Sequence, residues 1–176
     1  NQNIVSFGWK DKKFAKGFLD YFELPDHFMP PDVFTPPSYI EIKPLSQDNP
    51  LIIPKPLKNL IDYQEGVFRE SMELLKLPRH RFVIQMPTGS GKTRTTMEII
   101  SNVLKESPPG TIVVWLAHSR ELCEQAFQCF VEVWQHLSNK PLVAARYWGS
   151  HAQPPSFDNS MFIVGGFQKI HAALRR

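Results

Sequence analysis

One stretch near the middle of the chain, residues 82–93, allows only a few kinds of fold. It reads Phe-Val-Ile-Gln-Met-Pro-Thr-Gly-Ser-Gly-Lys-Thr, which is a short apolar run, a loop punctuated by glycine, and the start of a helical pattern. Beyond Lys92, apolar residues recur at three- and four-residue spacing, which indicates a helix with one buried face. These apolar residues are Met97, Ile100, Val103 and Leu104. The stretch therefore predicts a strand, a tight loop and a helix in immediate succession.

The residue types in this loop are suited to holding phosphate oxygens. Gly89, Ser90 and Gly91 are small, so backbone N–H groups can converge on one point, at which the positive end of the following helix also aims. Lys92 would then reach the β- and γ-phosphates of a nucleotide, and the Thr93 hydroxyl would bind Mg²⁺.

The pattern is that of a P-loop, or Walker A motif, with one departure. The full form is G-x-x-x-x-G-K-[ST], and Met86 stands at its first position. A Gly-rich turn with a solvent-facing lysine is the alternative interpretation. The cofactor-binding residues of the loop are predicted to be Thr88, Gly89, Ser90, Gly91, Lys92 and Thr93, with Lys92 and Thr93 as the catalytic pair.

Length and composition limit the rest of the chain. With 176 residues, 42% of them hydrophobic, the chain can form one domain with a real core. No stretch approaches the roughly 18 consecutive apolar residues of a membrane span, and no secretory leader is visible, so we expect a cytoplasmic protein. Cys123 and Cys129 point to different faces of one predicted helix, which favours reduced thiols. The net charge of +3 suits a polyanionic partner without demonstrating one.

The first 56 residues differ in composition from the remainder. Nine of the sixteen prolines lie between Pro25 and Pro56, which disfavours long helices and central strands. We therefore predict a Pro-rich N-terminal arm at 1–56 and a domain at 57–176. Within the arm, residues 11–24 predict a short helix with phenylalanines on one stripe, for which packing is the expected role and base stacking the alternative.

The domain reads as helices alternating with apolar strands, which is typical of an α/β fold with a parallel sheet. A helix is predicted over 57–77, and a strand over 111–117 whose unbroken apolar run predicts cover on both faces. Ser119 can cap the next helix, in which inward positions are predicted for Leu122, Ala126, Phe130 and Val133. Further strands are predicted at 142–148 and 161–165, and a last helix at 166–174.

Four stretches together resemble the motifs of superfamily 2 helicases and translocases. Residues 86–93 resemble motif I, and Leu-Ala-His-Ser-Arg-Glu-Leu at 116–122 resembles motif Ia, in wording most similar to the DEAD/DEAH motors related to restriction enzymes. Tyr63-Gln64 resembles the glutamine element that reads adenine. Gly-Gly-Phe-Gln-Lys-Ile at 165–170 resembles a later nucleic-acid-contacting motif, which more often carries threonines at the two glycines.

The resemblance implies the ATP-binding part of an ATP-dependent helicase or translocase, DNA-directed rather than RNA-directed and of restriction or defence type. It implies ATP and Mg²⁺ as cofactors and an adenine contact for Gln64. Its nucleic-acid-binding residues would be Ser119, Arg120, Gly165, Gly166 and Gln168. It also implies a RecA-like sheet that is incomplete here, because no Asp-Glu-Ala-His tetrad occurs in the sequence. We expect the Walker B acid, a second RecA-like domain and possible nuclease or methylase partners outside this chain, which alone should be inactive.

Other interpretations stay open at the level of sequence. Gln64 could be an exposed helical glutamine, and Arg120 a salt-bridged surface arginine at a helix start. The whole chain could belong to another P-loop NTPase, such as a nucleotide kinase or a AAA-type ATPase. It could also be a nucleotide-binding module that does not hydrolyse its ligand.

Overall fold

A computed structural model describes residues 12–29, 36–48, 53–78, 81–154 and 158–175. The chain divides into two compact units, residues 1–36 and 37–176. No helix in these described ranges combines the length and apolar character that a membrane span needs.

The first unit contains helix α1 (Lys12–Tyr21) and a 3-10 turn (Asp26–Phe28). The predicted helix is confirmed, although its first predicted residue, Asp11, lies outside the described ranges. Lys16 joins the two elements through an ion pair with Asp26 at 2.6 Å, and it also pairs with Asp20 within α1 at 3.2 Å. The buried side chains of α1 are those of Ala15 and Leu19, and the phenylalanine stripe packs only in part, with 4.6 Å between the ring centroids of Phe18 and Phe22. The stripe residues Phe14, Phe18 and Phe22 are exposed.

The second unit is built on a four-stranded sheet in the order β1-β3-β4-β2. Its strands are β1 (Tyr39–Ile42), β2 (Ile112–Ala117), β3 (Leu142–Tyr147) and β4 (Met161–Gly166). β2 and β3 both pair parallel to β4, and β1 pairs antiparallel to β3. The α/β class and the mostly parallel sheet are thus confirmed and are consistent with a RecA-like fragment.

Helices flank this sheet. They are α2 (Leu45–Asp48), α3 (Asp62–Leu75), α4 (Lys92–Glu106), α5 (Arg120–Leu137) and α6 (Phe167–Leu174). α5 packs across one face of all four strands, and α4 packs against α5, with α3 against α4. The core lies between α5 and the sheet, where the ring of Phe130 stacks on that of Phe162 with 3.8 Å between centroids.

Two predictions about strands are wrong. The apolar run 82–84 forms no strand, and Val83 is 92% exposed. A strand requires a neighbour for its backbone groups, and none of the described segments pairs with this run. β2 forms as predicted but is covered on one face only, because Ile112, Val114 and Leu116 are each about half exposed on the side away from α5.

Smaller differences concern helix ends and the arm. The helix predicted from residue 57 begins at Asp62, and residues 53–60 are irregular. Leu122, predicted to point inward, is 41% exposed, whereas Ala126, Phe130 and Val133 are buried. Within the Pro-rich stretch, β1 forms an edge strand of the sheet and buries Ile42 in the core. The compact second unit therefore begins at Pro37, upstream of the boundary after residue 56 that proline content predicts.

Candidate nucleotide site and a neighbouring polar cavity

The glycine loop forms a tight turn that closes on itself. The backbone N–H and the hydroxyl of Ser90 both donate to the carbonyl oxygen of Pro87, at 3.2 and 2.6 Å. Gly89 and Gly91 adopt φ values of 77° and 81°, a left-handed conformation that costs other residues free energy. Gly91 is also the N-cap of α4, so the turn delivers the chain directly into that helix.

Lys92 folds back over this turn. Its Nζ donates to the carbonyl oxygens of Met86 at 3.0 Å and Pro87 at 2.8 Å. Both partners are neutral, and no carboxylate in the described ranges forms an ion pair with the ammonium group. The next residue, Thr93, is half-buried on the first turn of α4. The loop thus carries a positive charge that an anion could neutralise.

Tyr63 and Gln64, at the start of α3, bind the same loop. The Tyr63 hydroxyl and the Gln64 Nε2 both donate to the carbonyl oxygen of Ser90, at 2.7 and 2.8 Å. The Gln64 Oε1 accepts a hydrogen bond from the backbone N–H of Ile61 at 3.2 Å. Since an amide side chain has two donors and two acceptor sites, Gln64 keeps one of each for a ligand.

A cavity of about 370 Å³ opens beside the loop. A second cavity, of about 400 Å³, lies elsewhere in the second unit. The cavity beside the loop, here called the lateral cavity, is lined by Leu57, Lys58, Asn59, Leu60, Gln64, Gly91, Arg94, Cys129, Glu132 and Val133. Gly91 and Gln64 belong both to the loop contacts and to this lining. The lateral cavity therefore adjoins the candidate phosphate site.

The cavity of about 400 Å³, here called the strand-end cavity, lies where β2, β3 and β4 end. It is lined by His118, Ser119, Arg120, Cys123, Trp148, Gly149, Gly166, Gln168 and Lys169. Four of the five residues predicted to contact nucleic acid are among them. The fifth, Gly165, is buried, and a Cβ there would lie 2.6 Å from Cγ1 of Ile170, so a larger residue at this position would require the Ile170 side chain to move.

The strand-end cavity has a cationic lining. Arg120 lies against Gly149, and no described carboxylate pairs with its guanidinium group within 4 Å. Lys169 donates to the carbonyl oxygens of Gly149 and His151, at 3.0 Å for the first. Ser119 caps α5, its hydroxyl accepting from the backbone N–H of Leu122 at 3.2 Å. Two cations and a helix N-terminus make this cavity attractive to anions.

Some of these residues escaped the sequence predictions. Trp148 and Gly149 directly follow β3, and the carboxyl ends of neighbouring parallel strands meet at one edge of a sheet, which is a signal that could have indicated them. Lys169 is not among the predicted nucleic-acid contacts, although it stands within the motif-like stretch at 165–170. Arg94 follows the P-loop immediately, and nothing in its local sequence marks a role.

A buried arginine on β3 joins α5 to the segment before β1. Arg146 is 4% exposed and donates to both carboxylate oxygens of Glu124, at 3.1 and 2.9 Å. It also donates from Nη1 to the carbonyl oxygen of Pro37 at 3.1 Å, and its guanidinium carbon lies 3.6 Å from the centroid of the Phe127 ring. The hydrogen bonds from Arg146 lower the pKa of Glu124.

A P-loop-like turn at the start of α4 and a mostly parallel sheet with a polar cavity at its strand ends are both typical of nucleotide-handling α/β proteins. The family model described as type III restriction enzyme, res subunit, matches residues 57–176, and the chain belongs to this family. Membership supports an ATP-dependent, helicase-like module of restriction type. No curated protein and no solved structure matches the chain.

Proposed function

We propose that this chain binds ATP and Mg²⁺ and, within the complete protein, couples ATP hydrolysis to movement along DNA. The observation that carries the proposal is the Lys92 ammonium group, which lies over the glycine turn with only neutral carbonyl partners. A nucleotide's β- and γ-phosphates would replace those carbonyls as acceptors. Hydrogen bonds between two charged groups are stronger than those from an ammonium to a neutral carbonyl, so the exchange favours binding.

The remaining phosphate contacts would come from the turn itself. Backbone N–H groups between Thr88 and Thr93, apart from that of Ser90, which bonds to Pro87, would donate to phosphate oxygens, helped by the positive end of α4. The Thr93 hydroxyl would be the protein's ligand to Mg²⁺, which neutralises charge on the phosphates when bound. A hard cation with oxygen ligands fits this residue type. We propose that turnover requires the complete protein, with a Walker B acid and a second RecA-like domain.

The base of ATP would lie on the side of Gln64. This amide retains one N–H donor and one acceptor site beyond its bonds to Ser90 and Ile61. Adenine presents an acceptor and a donor side by side on one edge, which matches that remaining pair. The lateral cavity adjoining Gln64 and Gly91 would receive the base.

The strand-end cavity would hold a nucleic-acid backbone. Arg120 and Lys169 supply positive charge, and Ser119 opens the N-terminus of α5. Contacts of this kind recognise phosphates, which are the same at every sequence position. We propose DNA rather than RNA as the track, with Gly166 and Gln168 completing the contact from the start of α6.

The test is Lys92→Ala in the complete protein, measured as ATP affinity and as DNA-stimulated hydrolysis. Losing two hydrogen bonds to a charged group, at about 1.5–3 kcal/mol each, should weaken ATP binding by about a hundredfold or more. Lys76→Ala is the matched control, because Lys76 is an exposed lysine paired with Glu73 and far along α3. Unchanged ATP binding in Lys92→Ala would overturn the proposal.

Two other outcomes would reassign the protein. Transfer of the phosphoryl group of ATP to a small molecule instead of water, without stimulation by DNA, would indicate another P-loop enzyme. ATP binding without turnover, with DNA and Mg²⁺ present, would indicate a nucleotide-binding module.

A further inference from the structure

Arg94 connects the P-loop helix to the irregular segment 57–60. It stands two residues after Lys92 on the first turn of α4 and lines the lateral cavity. Its Nη2 donates to the carbonyl oxygen of Lys58 at 3.0 Å. Its Nη1 lies 2.7 Å from the carboxylate Oε2 of Glu98, one turn along the same helix. One guanidinium group thus joins two walls of the cavity.

The Arg94–Glu98 pair differs from an ordinary surface ion pair. The side chains of Arg94 and Glu98 are 23% and 9% exposed, whereas the similarly spaced pair Arg69–Glu65 on α3 is 73% and 48% exposed. Burial raises the pKa of Glu98, against the opposing effect of the Arg94 charge. Because the cost of burying two charges can exceed the free energy that their attraction returns, the pair is weak evidence for a role in stability alone.

The segment that Arg94 holds has little structure of its own. Residues 57–60 belong to neither helix nor strand, and Leu57 is 50% exposed. They nevertheless supply four of the residues that line the lateral cavity. Without regular hydrogen bonds, such a segment keeps its position only through contacts from elsewhere. The bond from Arg94 to Lys58 is one such contact, and it originates beside the phosphate loop.

The lining of the lateral cavity fits a nucleobase. Leu57, Leu60 and Val133 provide apolar surface for a flat ring, and Gln64 and Glu132 offer polar groups for its edge. A cavity of about 370 Å³ lies in the range of small-ligand pockets. A nucleotide with its phosphates on the turn would therefore extend its base toward residues 57–60.

We propose that Arg94 is a positioning residue for the nucleoside part of the ligand. By holding residues 57–60 against α4, it forms the wall on which a purine base packs, and Glu98 fixes the guanidinium group in the required orientation. This inference rests on the proposed function, in which the P-loop binds the triphosphate. It predicts that Arg94 affects the binding of a nucleotide but not the binding of phosphates alone.

The experiment compares ATP with inorganic tripolyphosphate as ligands of the complete protein, by calorimetric titration of Arg94→Ala, Arg94→Lys and Arg69→Ala. Arg94→Ala should weaken ATP binding by about tenfold, the equivalent of one or two lost hydrogen bonds, and leave tripolyphosphate affinity unchanged. Arg94→Lys keeps the charge beside Glu98 and should restore part of the ATP preference. Arg69→Ala, which removes the exposed pair, should change neither affinity.

The outcomes separate this inference from the function beneath it. Equal weakening of ATP and tripolyphosphate in Arg94→Ala, or no change in their ratio, overturns the role of Arg94 and leaves the phosphate site standing. Failure of the unaltered protein to bind either ligand overturns the proposed function and this inference together. If Arg94→Ala does not fold, the ratio measured in Arg94→Lys decides the question in the same way.

Discussion

The two loop glycines offer a matched pair of substitutions. Gly89 and Gly91 both have positive φ, at 77° and 81°, where an alanine costs about 1–2 kcal/mol. Their surroundings differ: a Cβ on Gly89 meets nothing within 4 Å, whereas one on Gly91 would lie 2.6 Å from Nε2 of Gln64. Gln64 would have to move, giving up its 2.8 Å hydrogen bond to Ser90.

The magnitudes follow from this difference. Gly89→Ala should lower the free energy of unfolding by about 1–2 kcal/mol, the conformational cost alone. Gly91→Ala should lower it by about 1.5–3.5 kcal/mol, because a lost hydrogen bond adds about 0.5–1.5 kcal/mol. Gly66→Ala serves as the control, since Gly66 lies inside α3 with nothing within 4 Å of an added Cβ. It should stabilise the protein by about 0.5–1 kcal/mol.

Urea unfolding of the three variants measures these differences directly. A double variant, Gln64→Ala with Gly91→Ala, supplies the decisive comparison, because without Gln64 the penalty at Gly91 should fall to that of Gly89→Ala. Equal penalties for Gly89→Ala and Gly91→Ala in the presence of Gln64 would refute the packing of Gln64 against the loop. The proposed contact of Gln64 with the base would lose its structural support as well.

Two other substitutions test the strand-end cavity and the buried pair of Arg146 and Glu124. Arg120→Ala should weaken DNA binding evenly across sequences and reduce the slope of log affinity against log salt by about one. Fluorescence anisotropy at several salt concentrations measures both effects. A loss of affinity that depends on sequence would contradict a backbone contact. Because Arg146 lowers the pKa of Glu124 below its ordinary 4.5, the ionised carboxylate stabilises the fold above that pH, and the stabilisation is lost as pH falls through the lowered value. Glu124→Gln should therefore flatten the loss of stability on acidification, and an unaltered pH profile of thermal unfolding would contradict the Arg146 contact.

Local chemistry made much of the second unit predictable. The glycine turn and α4 follow from residues 86–104, and α5 follows from the Ser119 cap and its apolar spacing. These features depend on residues close in sequence. Strand β4 and helix α6 were predictable for the same reason, because an apolar run and a glycine pair mark their junction.

Features that depend on distant partners were not predictable. The run 82–84 has the composition of a strand, but a strand also requires a neighbour, which composition does not reveal. The bond from Arg94 to Lys58 spans 36 residues, and that from Arg146 to Pro37 spans 109. No spacing rule in a single sequence reports contacts of that range. Motifs indicated four residues of the strand-end cavity and two of the lateral cavity, Gln64 and Gly91, but not the other residues that line them.

The hydrogen bond from Arg146 to the carbonyl oxygen of Pro37 has a practical consequence for the design of shortened versions of this protein. A version starting at Leu57, where the proline content changes, would lack β1, which pairs with β3. It would also leave the guanidinium group of Arg146, a residue that is 4% exposed, without one of its acceptors. Buried donors deprived of acceptors are costly, so such a truncation should yield insoluble or poorly folded material. A version that begins at or before Pro37 retains the edge strand β1 and the carbonyl acceptor of Arg146, which also binds Glu124 near the start of α5.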